Sequence, residues 1–304
     1  MKRTFVISEN KVVESDAGNP DILLYINPDS DEKKYLVDNF QLDEHTLTST
    51  LDPDELSRLE FEPEHLAIII KRPKNYSGKD ILFFKVASMG IFLFADKIII
   101  VLSDDINIFE GKQFNKINSL KDLMLKIINR SIVHFLEHLK IFSMITDELE
   151  KKINASMGNK YLINLFTLEK SLVYYLNAIN SNTLVFDKLK NYAAKIGFAT
   201  EEIEFLDDLF IENTQCYRQA DIYSNILASL MDARASIVSN NINLLMKTLN
   251  VITIGIMVPT LVVSIFSMNV GIPLQEHPYA FWFIIAFALV SVLAVIFVWK
   301  KFKW

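Results

Sequence analysis

Between residues 243 and 267 a largely apolar stretch, interrupted by Lys247 and Thr248, carries polar or thioether side chains at one repeated interval. Asn243, Met246, Asn250, Thr253, Met257, Thr260, Ser264 and Ser267 follow one another by three or four residues, which keeps them on one face of a helix. None is ionisable. Their chemistry is that of neutral oxygens, which bond water or a neighbouring helix, and of thioethers, which pack or exclude water. Leu245, Ile252, Ile256, Pro259 and Val263 are read as the opposite face. An unpaired polar group is costly to desolvate in hydrocarbon, so the polar face must meet protein or water. Two readings fit that requirement: hydrogen-bonded contacts between helices, and the wall of a water-filled path.

The elements that must position this face are two apolar runs, Leu249 to Phe266 and Tyr279 to Trp299, neither of which holds a charge. At 1.5 Å per helical residue the second reaches about 31 Å, against a hydrocarbon core of about 30 Å. Spans of about 246–266 and 279–299 are therefore expected, joined by the short segment Ser267 to Pro278. Lys300, Lys301 and Lys303 directly follow the second span. By the positive-inside rule they place both termini in the cytoplasm and the Ser267-Met268-Asn269 tip outside, in a multi-pass protein of the cell (inner or plasma) membrane. Met1 to Glu9 contains only a three-residue apolar run and reads as no secretory signal.

The two spans account for a composition that is 51% apolar over 304 residues. Three of the 31 basic residues and one of the 37 acids lie in 248–304, leaving 28 and 36 before it, a net of −8 against −6 for the chain. An acidic domain joined to a basic tail argues for cations as partners and against nucleic acid. Residues 1–118 alternate short β-rich runs with turn signals. Strands are expected at Thr4 to Ile7, Ile22 to Ile26, Leu66 to Lys71, Ile81 to Ala87, Ile91 to Ala95 and Lys97 to Leu102, with helices at Asp31 to Phe40 and Asp52 to Leu59. No phosphate loop or nucleophile motif occurs there, so no catalytic residue and no enzyme activity is assigned.

From Ser119 apolar positions recur at helical spacing, through Leu120, Leu123 and Ile127 to Ile145, then from Leu162 to Leu176. After Gly197, Thr200 is the expected cap of a third helix, and no Pro or Gly interrupts the chain from Glu201 until Gly255. One helix of fifty or more residues can therefore run into the first span, as a coiled-coil-like stalk. The division is an α/β domain at 1–118, a helical region with the stalk at 119–247 and a two-helix hairpin at 248–304.

Asn243 to Leu249, Val258-Pro259-Thr260, Phe266-Ser267-Met268-Asn269, the short loop, the second span and the Lys-rich end together resemble the CorA family of divalent-cation channels. That family's signature at the end of the first span is Tyr-Gly-Met-Asn; here Phe266 replaces the Tyr and Ser267 the Gly. The resemblance implies a funnel-shaped homopentamer passing hydrated Mg²⁺, with Ser267, Met268 and Asn269 as selectivity filter and Asn243, Met246, Leu249, Met257, Thr260 and Ser264 facing the pore. Asn250 and Thr253 join that lining from the spacing, and Asn250 lies nearer the stripe's centre than Leu249. Neutral Asn269 amides suit an ion that keeps its water. Met246, Leu249 and Met257 can close a pore by dewetting. Pro259 frees the carbonyl of Gly255 and so allows a bend. At a tight turn, Ser267 is expected to resist backbone angles that Gly tolerates.

The resemblance also implies a regulatory Mg²⁺ in the cytoplasmic domain, for which Asp207 and Asp208 are the candidates within the acidic run from Glu201; an ordinary solvated helix start is the alternative. His134 and His138, four apart, have the spacing of a transition-metal pair without a third ligand. Glu276 and His277 lie in the outer loop. Cys216, the one cysteine, excludes an intrachain disulfide. Apart from Mg²⁺ no cofactor is expected. A Zn²⁺ or Co²⁺/Ni²⁺ transporter like the ZntB branch, and a non-transporting membrane-anchored regulatory protein, stay open as alternatives.

Overall fold

The computed structural model describes residues 1–15, 18–76, 82–155, 159–271, 273 and 276–302, without side chains for 153–155, 159, 160 and 302. The expected strand start at Ile81 and the basic Lys303 lie outside the described residues. The chain divides into two compact units, Met1–Met231 and Asp232–Trp304.

The first unit is built on a seven-stranded sheet. Its strands are β1 (Lys2–Ser8), β2 (Lys11–Glu14), β3 (Ile22–Ile26), β4 (Arg58–Phe61), β5 (Leu66–Pro73), β6 (Val86–Leu93) and β7 (Ile98–Leu102), in the order β2-β1-β3-β7-β6-β5-β4. Only β3 and β7 pair in parallel. The central strands are apolar on both faces because both are covered. Ile22, Leu24, Ile98 and Ile100 turn to the core under α3 (Leu120–Ala155) and α4 (Asn159–Asn191). Leu23, Tyr25, Ile99 and Val101, the alternating partners, pack with Leu36 of α1 (Ser30–Phe40) and Leu47 of α2 (Glu44–Ser49). Where β4 has run out, the Asn182 side chain of α4 takes its place beside β5: Oδ1 accepts from Lys71 N at 2.8 Å and Nδ2 donates to Lys71 O at 2.8 Å.

The helix expected at Asp31 to Phe40 is α1, started by a capping box in which Glu32 N donates to Asp29 Oδ1 at 2.8 Å. The helix expected at Asp52 to Leu59 is not there. α2 lies earlier, capped by Asp43, whose Oδ2 accepts from Thr46 N at 2.7 Å. Pro53 disfavours the helical region at Asp52, and Leu59 already belongs to β4. Two expected strands, Ile81 to Ala87 and Ile91 to Ala95, are replaced by β6, which pairs with β5 from Val86 through Leu93. Gly90 inside it is not a turn. A Cβ there would meet Thr50 Cγ2 in overlap and Thr50 Cβ at 2.7 Å, so the glycine permits close approach of the chain after α2. β2 was not anticipated.

After the short helix α5 (Ala193–Ile196), α6 runs from Thr200 to Phe266, 67 residues in one helix. Its N-cap is Ala199 rather than Thr200; Ala199 has no side chain able to cap, and Glu202 Oε2 instead accepts from Ala199 N at 2.8 Å. Leu206, Leu209, Asn213, Cys216, Ala220 and Leu227 are buried at helical spacing in the first unit. Asn213 Nδ2 locks to α4 by donating to Ile179 O at 3.2 Å and Thr183 Oγ1 at 2.9 Å.

The second unit holds the apolar end of α6 and α7 (Ala280–Phe302), both long and apolar enough to cross a membrane. Val251, Gly255, Val258, Pro259, Val262 and Phe266 are half-buried along one face of α6; Ala280, Ile284, Ala288, Ser291, Val292 and Val295 are half-buried on α7. Phe266 and Phe287 stack with centroids 6.3 Å apart and planes at 9°, so these are the facing sides. Small residues on α7 suit helix packing in lipid.

Gly90→Ala should destabilise the first unit by about 1–3 kcal/mol through overpacking against Thr50. Adding Thr50→Ser, which removes Cγ2, should restore part of the loss. Thermal unfolding of the two variants checks both.

Candidate pore-lining site

On a helix turning about 100° per residue, the α7-facing residues of α6 centre about 180° from the stripe Asn243, Met246, Asn250, Thr253, Met257, Thr260, Ser264 and Ser267. All eight are exposed. The polar face therefore points away from α7 and is not glue to it. Of the residues expected opposite the stripe, only Pro259 lies on the α7 side; Leu245, Ile252, Ile256 and Val263 are exposed flanks. Leu249 is 58% exposed beside the stripe, at its edge rather than its centre.

Three hydroxyls of this face donate back to their own helix. Thr253 Oγ1 donates to Leu249 O at 2.9 Å, Thr260 Oγ1 to Ile256 O at 2.6 Å and Ser267 Oγ to Ser264 O at 2.8 Å. A hydroxyl whose proton is committed to its own helix keeps only acceptor lone pairs for the outside. The helix continues through Pro259. Pro259 has no N–H for the carbonyl of Gly255. A Cβ at Gly255 would meet nothing within 4 Å, so close approach of α7 does not demand this glycine.

Ser267, Met268 and Asn269 follow the end of α6 and are exposed, with Ser267 N donating to Ser264 O at 3.1 Å. The expected strain at Ser267 is not found. Among the described residues the non-glycine positions with positive φ are Glu9, Asn10, Asn27, Gln41 and Leu82, and Ser267 is not one of them. Serine meets no backbone penalty where the family motif has glycine.

The two regulatory candidates separate. Asp207 Oδ1 lies 2.6 Å from Lys190 Nζ of α4, both half-exposed. Asp208 is exposed and stands one turn before Glu212, whose carboxyl is raised first by burial and then by the Asp208 charge. Glu212 was missed in the sequence, although its four-residue spacing from Asp208 was legible. Among the described residues no group of three or more His, Cys, Asp or Glu could hold a metal. His138 is buried and His134 half-buried beside it. Their rings are 4.4 Å apart, His138 Nδ1 and the Tyr175 hydroxyl share a hydrogen bond of 2.6 Å, and burial pushes the two imidazoles down to about 3 and about 4. Just before α7, His277 Nδ1 accepts from Tyr279 N at 3.3 Å, while Glu276 is exposed.

A sequence profile described as CorA-like Mg²⁺ transporter protein matches residues 22–301. The chain belongs to the CorA-like family. It is thus a membrane protein of a transporter family rather than an enzyme family, and its two C-terminal apolar helices are the end of α6 and α7. The cobalt/magnesium transport protein CorA of Methanocaldococcus jannaschii is 26% identical over 267 residues, covering 84% of this chain and 81% of that protein. The complete structure of the CorA magnesium transporter from that organism superposes with a TM-score of 0.85 at 21% identity, over 99% of this chain and 98% of the other. Full-length CmaX gives 0.73 at 15% identity, over 99% and 97%. These two likenesses show a common fold across an α/β soluble domain, long helix and apolar pair.

Burial pushes the Cys216 thiol up to about 12, so the native protein should not react with a charged, water-soluble thiol reagent near neutral pH. Cysteines introduced at Thr253, Met257 or Thr260 should react in liposome-held protein, while those at Val251, Val258 or Val262 should not. Equal labelling of the two sets would contradict a water-facing stripe.

Proposed function

We propose that the chain is a Mg²⁺ channel of the CorA type, in which five copies surround an axis lined by the polar stripe of α6. The observation that carries this reading is the stripe's position, exposed and turned directly away from α7. In a ring of such chains α6 stands inside and α7 outside, and the acceptor lone pairs of Thr253, Thr260 and Ser267 meet the protons of an ion's hydration shell. Mg²⁺ sheds water reluctantly and is bound by oxygen. A ring of Asn269 amides would hold such a hydrated ion without stripping it, with Ser267 and Met268 shaping the entrance. No His or Cys, the ligands that hold zinc, stands at these positions, which favours Mg²⁺ over the Zn²⁺ reading.

The functional division follows: an α/β domain at 1–118, a helical region with the stalk at 119–247 and the hairpin at 248–304, with both termini in the cytoplasm. Met246, Leu249 and Met257 supply apolar rings that close by dewetting. Asn243, Asn250 and Ser264 keep the intervening path wet. Asp208 with Glu212 is the better regulatory Mg²⁺ position, because Asp207 already holds Lys190; a second copy must complete the coordination.

Asn269→Ala should lose selective Mg²⁺ flux in liposomes while keeping the mass of a pentamer in mild detergent and near-native thermal stability. Retained Mg²⁺ flux would refute the filter assignment, and a monodisperse monomer or dimer of the native chain would refute the ring.

Asp208→Asn should leave the channel open at internal Mg²⁺ levels that shut the native protein, and Asp207→Asn should shift that closure little. Met257→Asn should raise leak flux under the same closing condition. Closure unchanged in Asp208→Asn would remove the regulatory assignment, and leak unchanged in Met257→Asn would remove the gate at that ring.

A further inference from the structure

A cavity of about 90 Å³ lies in the first unit between β5, the segment after β7, and α3. Its lining includes Arg72, Ser131 and His134, with Asn75, Asn107 and Arg130 also contributing donors and Glu110 the one acid. Arg72 is 2% exposed. Its Nη2 is 2.6 Å from Asp104 Oδ1, its Nη1 donates to Pro73 O at 3.2 Å, and its Nε is buried with no hydrogen-bond partner. A buried guanidinium N–H is rarely left without an acceptor, so this one calls for an occupant of the cavity.

We propose that this cavity binds a phosphate oxyanion, taken either as free inorganic phosphate or as the terminal phosphate of a nucleotide. Every nitrogen of a guanidinium is a donor, and its planar fork matches the oxygens of phosphate. The lining is rich in such donors: two arginines and the amides of Asn75 and Asn107. Arg130 is partly neutralised by Glu137 at 3.2 Å, but that pair is exposed and weak. Asp104 balances Arg72, and Glu137 and Glu110 stand against Arg130, so the cavity draws an anion through its N–H donors rather than through net charge. His134 reports the same field. Burial first, and then His138, Arg130 and Arg72, push its imidazole down to about 3, against a smaller upward pull from Asp104. The volume holds about three waters, enough for a tetrahedral oxyanion. Asn75, Asn107 and Glu110 are exposed, so the mouth leaves room for an ester to project outward.

The test is titration calorimetry on the full-length protein in detergent without Mg²⁺, using inorganic phosphate and ATP separately and in competition. Saturable binding of phosphate alone identifies the free ion; ATP binding that phosphate displaces identifies the ester. Arg130→Gln and Arg72→Lys should each weaken whichever probe binds by at least tenfold, about 1.4 kcal/mol. The native His134 resonance should also move to a higher titration midpoint on saturation. No saturable binding of either probe to the native protein would overturn the proposal, as would binding unchanged in Arg130→Gln, whose partly exposed side chain can be replaced without disturbing the Arg72–Asp104 pair.

Discussion

What the apolar end of α6 can do is decided by the face that α7 occupies. Val251, Gly255, Val258, Pro259, Val262 and Phe266 are half-covered there, and Phe266 stacks on Phe287. Covering that face removes it from any other use and leaves the polar stripe on the far side. Lipid is a poor solvent for Asn250 and for the hydroxyl oxygens of Thr253 and Thr260. The two hydroxyls spend their protons on their own helix, so what a single hairpin turns away from α7 is the Asn250 amide and the hydroxyls' acceptor lone pairs.

The other end of α6 is constrained differently. Leu209, Cys216 and Ala220 sink into the core of the first unit, and Asn213 is tied to the backbone and side chains of α4. α4 is in turn tied to β5 through Asn182 and to the segment before β4 through Ser181, which accepts from Ser57 N at 2.7 Å. These are largely buried side-chain bonds, the kind that fix one register rather than add much stability. The sheet, α4 and the start of α6 are therefore packed as one body within the first unit.

Much of this was legible in the residues. β3, β5 and β7 are near-continuous runs of Ile, Leu and Val, which only a strand covered on both faces accommodates, and the charge-free runs announced the two apolar helices. The polar stripe was legible because its 3-4 spacing is periodic. The failures have particular causes. Gly90 looks like punctuation until Thr50, distant in sequence, is seen to fill the space of its side chain. Ala199 cannot cap with its side chain, so the helix start is betrayed only by Glu202 reaching back. Which apolar residues of α6 meet α7 was not readable, because Val and Ile serve equally against lipid and against a helix. The Ser267 backbone was likewise hidden, since the replaced glycine suggested strain that the φ angle does not have.

The central claim is that the stripe lines a path for hydrated Mg²⁺. The most direct measurement is Mg²⁺ entry into liposomes containing the purified native protein, followed with an enclosed Mg²⁺-sensitive dye and compared with Zn²⁺ and Co²⁺ under the same gradient. Gradient-driven, saturable Mg²⁺ entry absent from protein-free liposomes is the predicted result. Intact pentamers in sealed liposomes that pass no Mg²⁺ at low internal Mg²⁺ would contradict it.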